Sequence, residues 1–201
     1  MKGPWMATGK RRTRAIRVLV LAGILISTLG EPAVATSANP ASTAWASALG
    51  PGVVVFPPAP AAAGHESPGA AFQGVVDSVA KRDMELACQY FEPSFQALCR
   101  RGFKDGMGSN TPSFKNFALG YTVVEGKQAL VGWTGTSCVP TQHPLCVTNV
   151  NPAALFVRHH TFKVLWAQAI ASATSDQNIN NYALTPSVKV GTLWYAYLPA
   201  S

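Results

Sequence analysis

The stretch FKNFALGYTVVEGKQALVGWTGTSCV, Phe114–Val139, alternates apolar and polar residues with a period of two. Glu125-Gly126 divides it into GYTVV (Gly120–Val124) and KQALVGWTG (Lys127–Gly135). Alternation on both sides of a turn-forming pair predicts two antiparallel strands. Towards the N-terminus the period changes. From Gly69 to Tyr90 apolar residues recur at Phe72, Val75, Val76, Val79, Ala80, Met84, Ala87 and Cys88. Spacings of three and four predict an amphipathic helix. Phe91-Glu92-Pro93 interrupts that pattern, and a second helix is expected from Pro93, because proline is tolerated in a first turn. It carries Phe95, Leu98 and Cys99 inward and ends at Gly102.

Towards the C-terminus, residues 138–160 read as an excursion held by a cysteine pair. TFKVLWAQAIASA, Thr161–Ala173, places Phe162, Leu165, Trp166, Ala169, Ile170 and Ala173 at helical spacing, although FKVLW taken alone also fits a strand. The chain closes on SVKVGTLWYAYLP, where Val188 and Val190 precede Gly191-Thr192 and then a Leu193, Tyr195, Tyr197 alternation. A terminal hairpin is expected. Helices first and an antiparallel sheet after them make the fold class α+β, with N-terminal helices packed on the sheet.

Cys88, Cys99, Cys138 and Cys146 are the four cysteines of the chain. Neither neighbouring pair has the spacing of a zinc knuckle or of a Cys-x-x-Cys redox motif. The N-terminus points to export. Lys10, Arg11, Arg12, Arg14 and Arg17 precede the apolar run VLVLAGILISTL (Val18–Leu29) and the small-residue site AVA (Ala33–Ala35), the three parts of a secretory signal peptide. The apolar run is shorter than the about 20 residues of a spanning helix, so no membrane span is expected after cleavage. An even cysteine count in an exported chain reads as disulfides. Local pairing, Cys88 with Cys99 and Cys138 with Cys146, closes one structural unit each and contributes about 2 to 3 kcal/mol per bridge on a loop-entropy account.

Export also reinterprets the charge. The chain carries 16 Lys and Arg against nine acids, but six of those bases and one acid lie in residues 1–35, leaving ten against eight. Nothing after residue 35 clusters basic side chains beyond Lys81-Arg82 and Arg100-Arg101-Lys104, so no nucleic-acid partner is expected. Residues 36–67 are dominated by Ala, Pro, Ser and Gly and read as a flexible linker. Within them GVVVF (Gly52–Phe56) is assigned to the loose arm in preference to an edge strand. Residues 68–201 then form a single disulfide-bonded domain.

The helix pair, VEGKQALVGWTG (Val124–Gly135), CVTNVNPAAL (Cys146–Leu155), the apolar segment after it and VKVGTLWYAYLP (Val188–Pro199) together resemble secreted actinobacterial proteins of the nuclear transport factor 2-like, or cystatin-like, superfamily. The resemblance covers residues 70–198, with Trp194 and Tyr195 as its best marker. It implies a curved antiparallel sheet wrapped around helices as a cystatin-like roll, leaving a cone-shaped cavity. Fold alone implies no reaction.

Candidate chemistry is sparse. His159-His160 and His143 make a poor chelate, since neighbours on a strand point to opposite faces, and neither metal nor cofactor is expected. Superfamily isomerases use an acidic base with a tyrosine or acid as hydrogen-bond donor, and a dehydratase of the superfamily uses His and Asp, but Asp77 and Asp83 match no such motif, and Asp77 reads as a solvated helix acid. No nucleophile elbow or phosphate-binding glycine loop is present. Trp133, Trp166, Trp194, Tyr195 and Tyr197 either line a cavity or pack the core. The candidate pocket is Tyr195, Tyr197 and Leu193 with Tyr121, because alternation sends the two closing tyrosines and Leu193 to one face and Trp194 with Ala196 to the other. The expected function is a secreted, non-catalytic domain that binds a small apolar or amphipathic ligand or an envelope partner. The alternative is an isomerase or lyase acting on a small apolar substrate.

Overall fold

The computed structural model describes residues 45–102, 113–139, 145–149, 156, 161–174 and 184–198. Residues 1–35, read as a signal peptide, lie outside these, as do 36–44 of the expected linker and His143, His159 and His160.

The long alternating stretch forms β2 (Ser113–Glu125) and β3 (Gln128–Val139), antiparallel, with Glu125 opposite Gln128. Around this hairpin lie β1 (Val53–Phe56), β4 (Leu145–Asn149), β5 (Leu184–Val190) and β6 (Leu193–Ala196). The sheet order is β1-β2-β3-β5-β6, with β4 beside the second half of β3, and every pairing is antiparallel. The closing hairpin turns at Gly191-Thr192 as expected, with Val190 opposite Leu193. The class is α+β.

Among the described residues the helices that pack on the sheet include α1 (Pro68–Ala80), α2 (Met84–Gln89), α3 (Pro93–Gly102) and α4 (Phe162–Thr174). Ser67 caps α1 by accepting from the Ala70 N–H at 3.1 Å, and Pro68 occupies the first turn. The single helix expected over 69–90 is two helices. Arg82 takes a positive φ of 58°, which breaks the ladder, and the Asp83 carboxylate restarts it by accepting from the Leu86 N–H at 2.9 Å. Asp83 is therefore an N-cap. Asp77 accepts from Gln73 Nε2 one turn earlier on α1.

Consecutive residues of β3 point to opposite faces of the sheet. Val131 and Trp133 pack with Phe72 and Val75 of α1, Phe91, and Phe95 of α3. Leu130 packs with Val123, Leu184 and the α4 residues Phe162, Leu165 and Ala169. The helices are thus divided, α1 to α3 on one face and α4 on the other. The run Ala129-Leu130-Val131 is fully buried for that reason, as expected of a strand covered on both sides.

Residues 53–56, read from sequence as part of a loose arm, are an edge strand. Val53 and Val55 reach the α4-side core while pairing with Glu125 and Val123, and that burial offsets the entropy of ordering the segment. Trp45 and Leu49, just upstream, join the same core. Both local disulfides form. Cys88–Cys99 ties α2 to α3 inside the α1-side core, with Cα atoms 5.7 Å apart. Cys138–Cys146 links directly opposed positions of β3 and β4, 4.0 Å apart. No free cysteine remains.

Candidate functional site

Strand β6 divides its side chains as alternation requires. Trp194 and Ala196 are buried on the α1 side, where Trp194 packs with Ala71 and Ala129. Small residues on helix and floor let α1 approach the sheet closely there. Leu193, Tyr195 and Tyr197 occupy the opposite, α4 side, with Leu193 exposed and the tyrosines half-buried. Tyr121 belongs to the same side.

The four candidate residues share a face but not one environment. Tyr197 stacks on Trp166 of α4 at 5.9 Å between centroids, and Trp166 in turn stacks on Phe162 at 6.0 Å. Tyr121 meets Trp45 edge-on at 5.4 Å, and Trp45 stacks on Phe156 at 5.2 Å. Both tyrosines are packing residues. Trp133 likewise lies within a cluster of Phe72, Phe114 and Phe117 on the other face.

Tyr195 is placed differently. Its ring lies 4.6 Å from the imidazole of His65, which also stacks on Tyr90 at 5.1 Å. Two hydrogen bonds to the main chain of β6 hold His65 there: Trp194 N–H donates to the His65 carbonyl at 2.8 Å, and His65 Nδ1 lies 2.8 Å from the Trp194 carbonyl. A carbonyl oxygen only accepts, so Nδ1 is the donor in this contact. Tyr90 reaches the imidazole because α1 has glycine at 74, where a β-carbon would stand 2.2 Å from the Tyr90 ring.

The same residues finish the outer edge of β6. Ala196 N–H donates to the Tyr90 carbonyl at 2.9 Å, and Glu92 N–H donates to the Ala196 carbonyl at 3.0 Å. With the two His65 contacts, the edge beside Trp194 and Ala196 is covered, which blocks pairing with a further strand. Alongside it, Val190 opposite Leu193 and Val188 opposite Tyr195 continue an apolar strip on the α4 face, 44% and 43% exposed at Val190 and Leu193.

This arrangement offers an apolar surface ending at a polar imidazole in contact with two phenol rings. Such a surface suits a ligand with an apolar body and a polar end. Among the described residues no group of three or more His, Cys, Asp or Glu is placed to hold a metal ion. His65 was missed by sequence reading because it stands in an Ala/Gly/Ser/Pro-rich segment. The one local signal was the helix cap Ser67-Pro68 that follows it. No family model, no curated protein and no solved structure matches the chain.

Proposed function

We propose that the chain is exported and acts as a non-catalytic binding domain for a small amphipathic ligand, built on a cystatin-like roll of the nuclear transport factor 2-like superfamily. The strip Val188, Val190, Leu193 and Tyr195, ending at His65, carries the reading. The tripartite N-terminus and two disulfides support an oxidising location outside the cytoplasm. Among the described residues no helix is long and apolar enough to cross a membrane.

A dansylated undecanoic acid serves as probe in a fluorescence titration of the protein, with amide shifts followed by NMR. Binding should move the resonances of residues 188–195 and of His65. Tyr195→Ala should weaken it about five- to tenfold at unchanged melting temperature, since the ring contributes contact area to the ligand and is only half-buried in the fold. Shifts confined to the Tyr121 and Trp45 region, or no saturation at millimolar probe, would refute this site. The isomerase or lyase alternative is favoured by one observation, the His65 imidazole in ring contact with two tyrosines. Under that reading a carbon acid bound at the strip would take up solvent deuterium, and His65→Gln would abolish the uptake.

A further inference from the structure

The two edges of the sheet are treated oppositely. The outer edge of β6 is sealed by His65 and Tyr90–Glu92, whereas β1 at the other end pairs only with β2 among the described residues. β1 reads VVVF and, although only four residues long, carries no charge, no internal proline and no bulge in its register with β2. Its two residues on the α1 side, Val54 and Phe56, are 51% and 50% exposed, the highest values among the large hydrophobic side chains described.

We propose that β1 is a self-association edge, where a second copy of this chain adds its own β1 antiparallel and continues the sheet across a two-fold axis. The choice of occupant rests on length, register and charge. Pro51 and Gly52, with Gly52 at φ 80°, precede the strand and Pro57-Pro58 follow it, so the free edge is four residues long. A longer incoming strand would find its pairing interrupted there, because Pro51, Pro57 and Pro58 offer no N–H, whereas a second β1 has the same length and the same stops.

Opposed residues in an antiparallel pair share a face, so the register must match α1-side residues with each other. A two-fold axis through Val55 does this. It sets Val54 against Phe56 of the second copy and Phe56 against its Val54, two aromatic–β-branched pairs that cover the four exposed side chains. Because β1 carries no charge, the two-fold opposes no like charges within the strand pair. Four residues per copy bury far less than the roughly 800 Å² per partner of a stable interface, so the dimer is expected to be weak and concentration-dependent.

Sedimentation equilibrium of the protein recovered from the culture medium, over about 5 μM to 1 mM, tests this. A monomer–dimer equilibrium is expected. Val54→Lys should raise its dissociation constant at least about tenfold, because it sets a charge on the edge opposite Phe56 of the partner. Val190→Lys, on the exposed hairpin at the opposite end of the strand order, should leave it unchanged. Thermal melting of each variant separates lost association from lost folding. In a second arm, Val55→Cys should cross-link two copies under oxidation and Val53→Cys should not, since only Val55 lies on the axis. A monomer throughout the range, a dimer indifferent to Val54→Lys, equal loss with Val190→Lys, or cross-linking through Val53 alone would each overturn the proposal.

Discussion

At Gly74 the helix passes so close to Tyr90 that a β-carbon would stand 2.2 Å from the ring, and the Tyr90 ring stacks on His65. A single hydrogen in place of a methyl group therefore positions a group of the candidate site two elements away. Gly74→Ala is expected to push Tyr90 off the imidazole while the helix itself persists, since alanine is the better helix former. The measurement is the proton spectrum of the His65 ring, whose ring-current shift from Tyr90 should collapse. Stability should fall by about 1 to 3 kcal/mol in urea unfolding, the usual range for overpacking. An unchanged His65 spectrum would show that Tyr90 has another way to accommodate the methyl. Sequence reading reached Tyr195 and its side of β6 from alternation alone. It did not reach His65 or Tyr90, because what joins them is hydrogen bonding to a strand more than a hundred residues away.

The elements are shaped as much by their interruptions as by their periods. β2 slips register against β3 twice, between Lys115 and Ala118 and between Leu119 and Thr122, each time inserting one extra residue opposite β3. The first of these bulges has Asn116 at φ 52° and faces Gly135 at φ 123°, where a β-carbon would stand 2.7 Å from the Lys115 and Asn116 carbonyls. Bulges bend a strand and add twist, and the second also re-aims the faces of β2. Leu119 thereby packs towards the α1 side and Tyr121 towards α4. Gly135→Ala combines an unfavourable φ with a backbone collision, and a loss on the order of 2 to 4 kcal/mol is expected. Chemical denaturation reads this directly, and a loss under about 0.5 kcal/mol would mean that the bulge relaxes at little cost. The period of two in this stretch was legible from sequence, and so were both disulfides, the Pro93 helix start, α4 and the closing hairpin. The break at Arg82-Asp83 and the two bulges were not, since each is a local exception that tertiary packing maintains against the regular pattern.

For the whole molecule, the N-terminal segment is the main revision. Chain from Trp45 to Phe56 supplies Trp45, Leu49, Val53 and Val55 to the α4-side core, and His65 then binds the far edge at β6, so this segment joins both edges of the sheet. A protein beginning at Pro68, the boundary suggested by composition, should lose several kcal/mol of stability, because each buried apolar side chain removed is worth about 1.5 to 3 kcal/mol. One beginning at Thr36 should keep its full stability. Paired thermal melts of the two proteins decide between a linker and an integral part of the domain, and equal melting temperatures would restore the linker reading. By itself the sequence determined what depends on neighbours along the chain: the period of each long element, the turns at Gly126 and Gly191, the proline that starts α3, and the local cysteine pairs. Only tertiary structure decided that β1 is a strand, that helices cover both faces, and that His65 meets both Tyr90 and Tyr195. Those outcomes depend on burial and on backbone groups brought together from distant positions, and a four-residue apolar run or a lone histidine carries too little local pattern to reveal either.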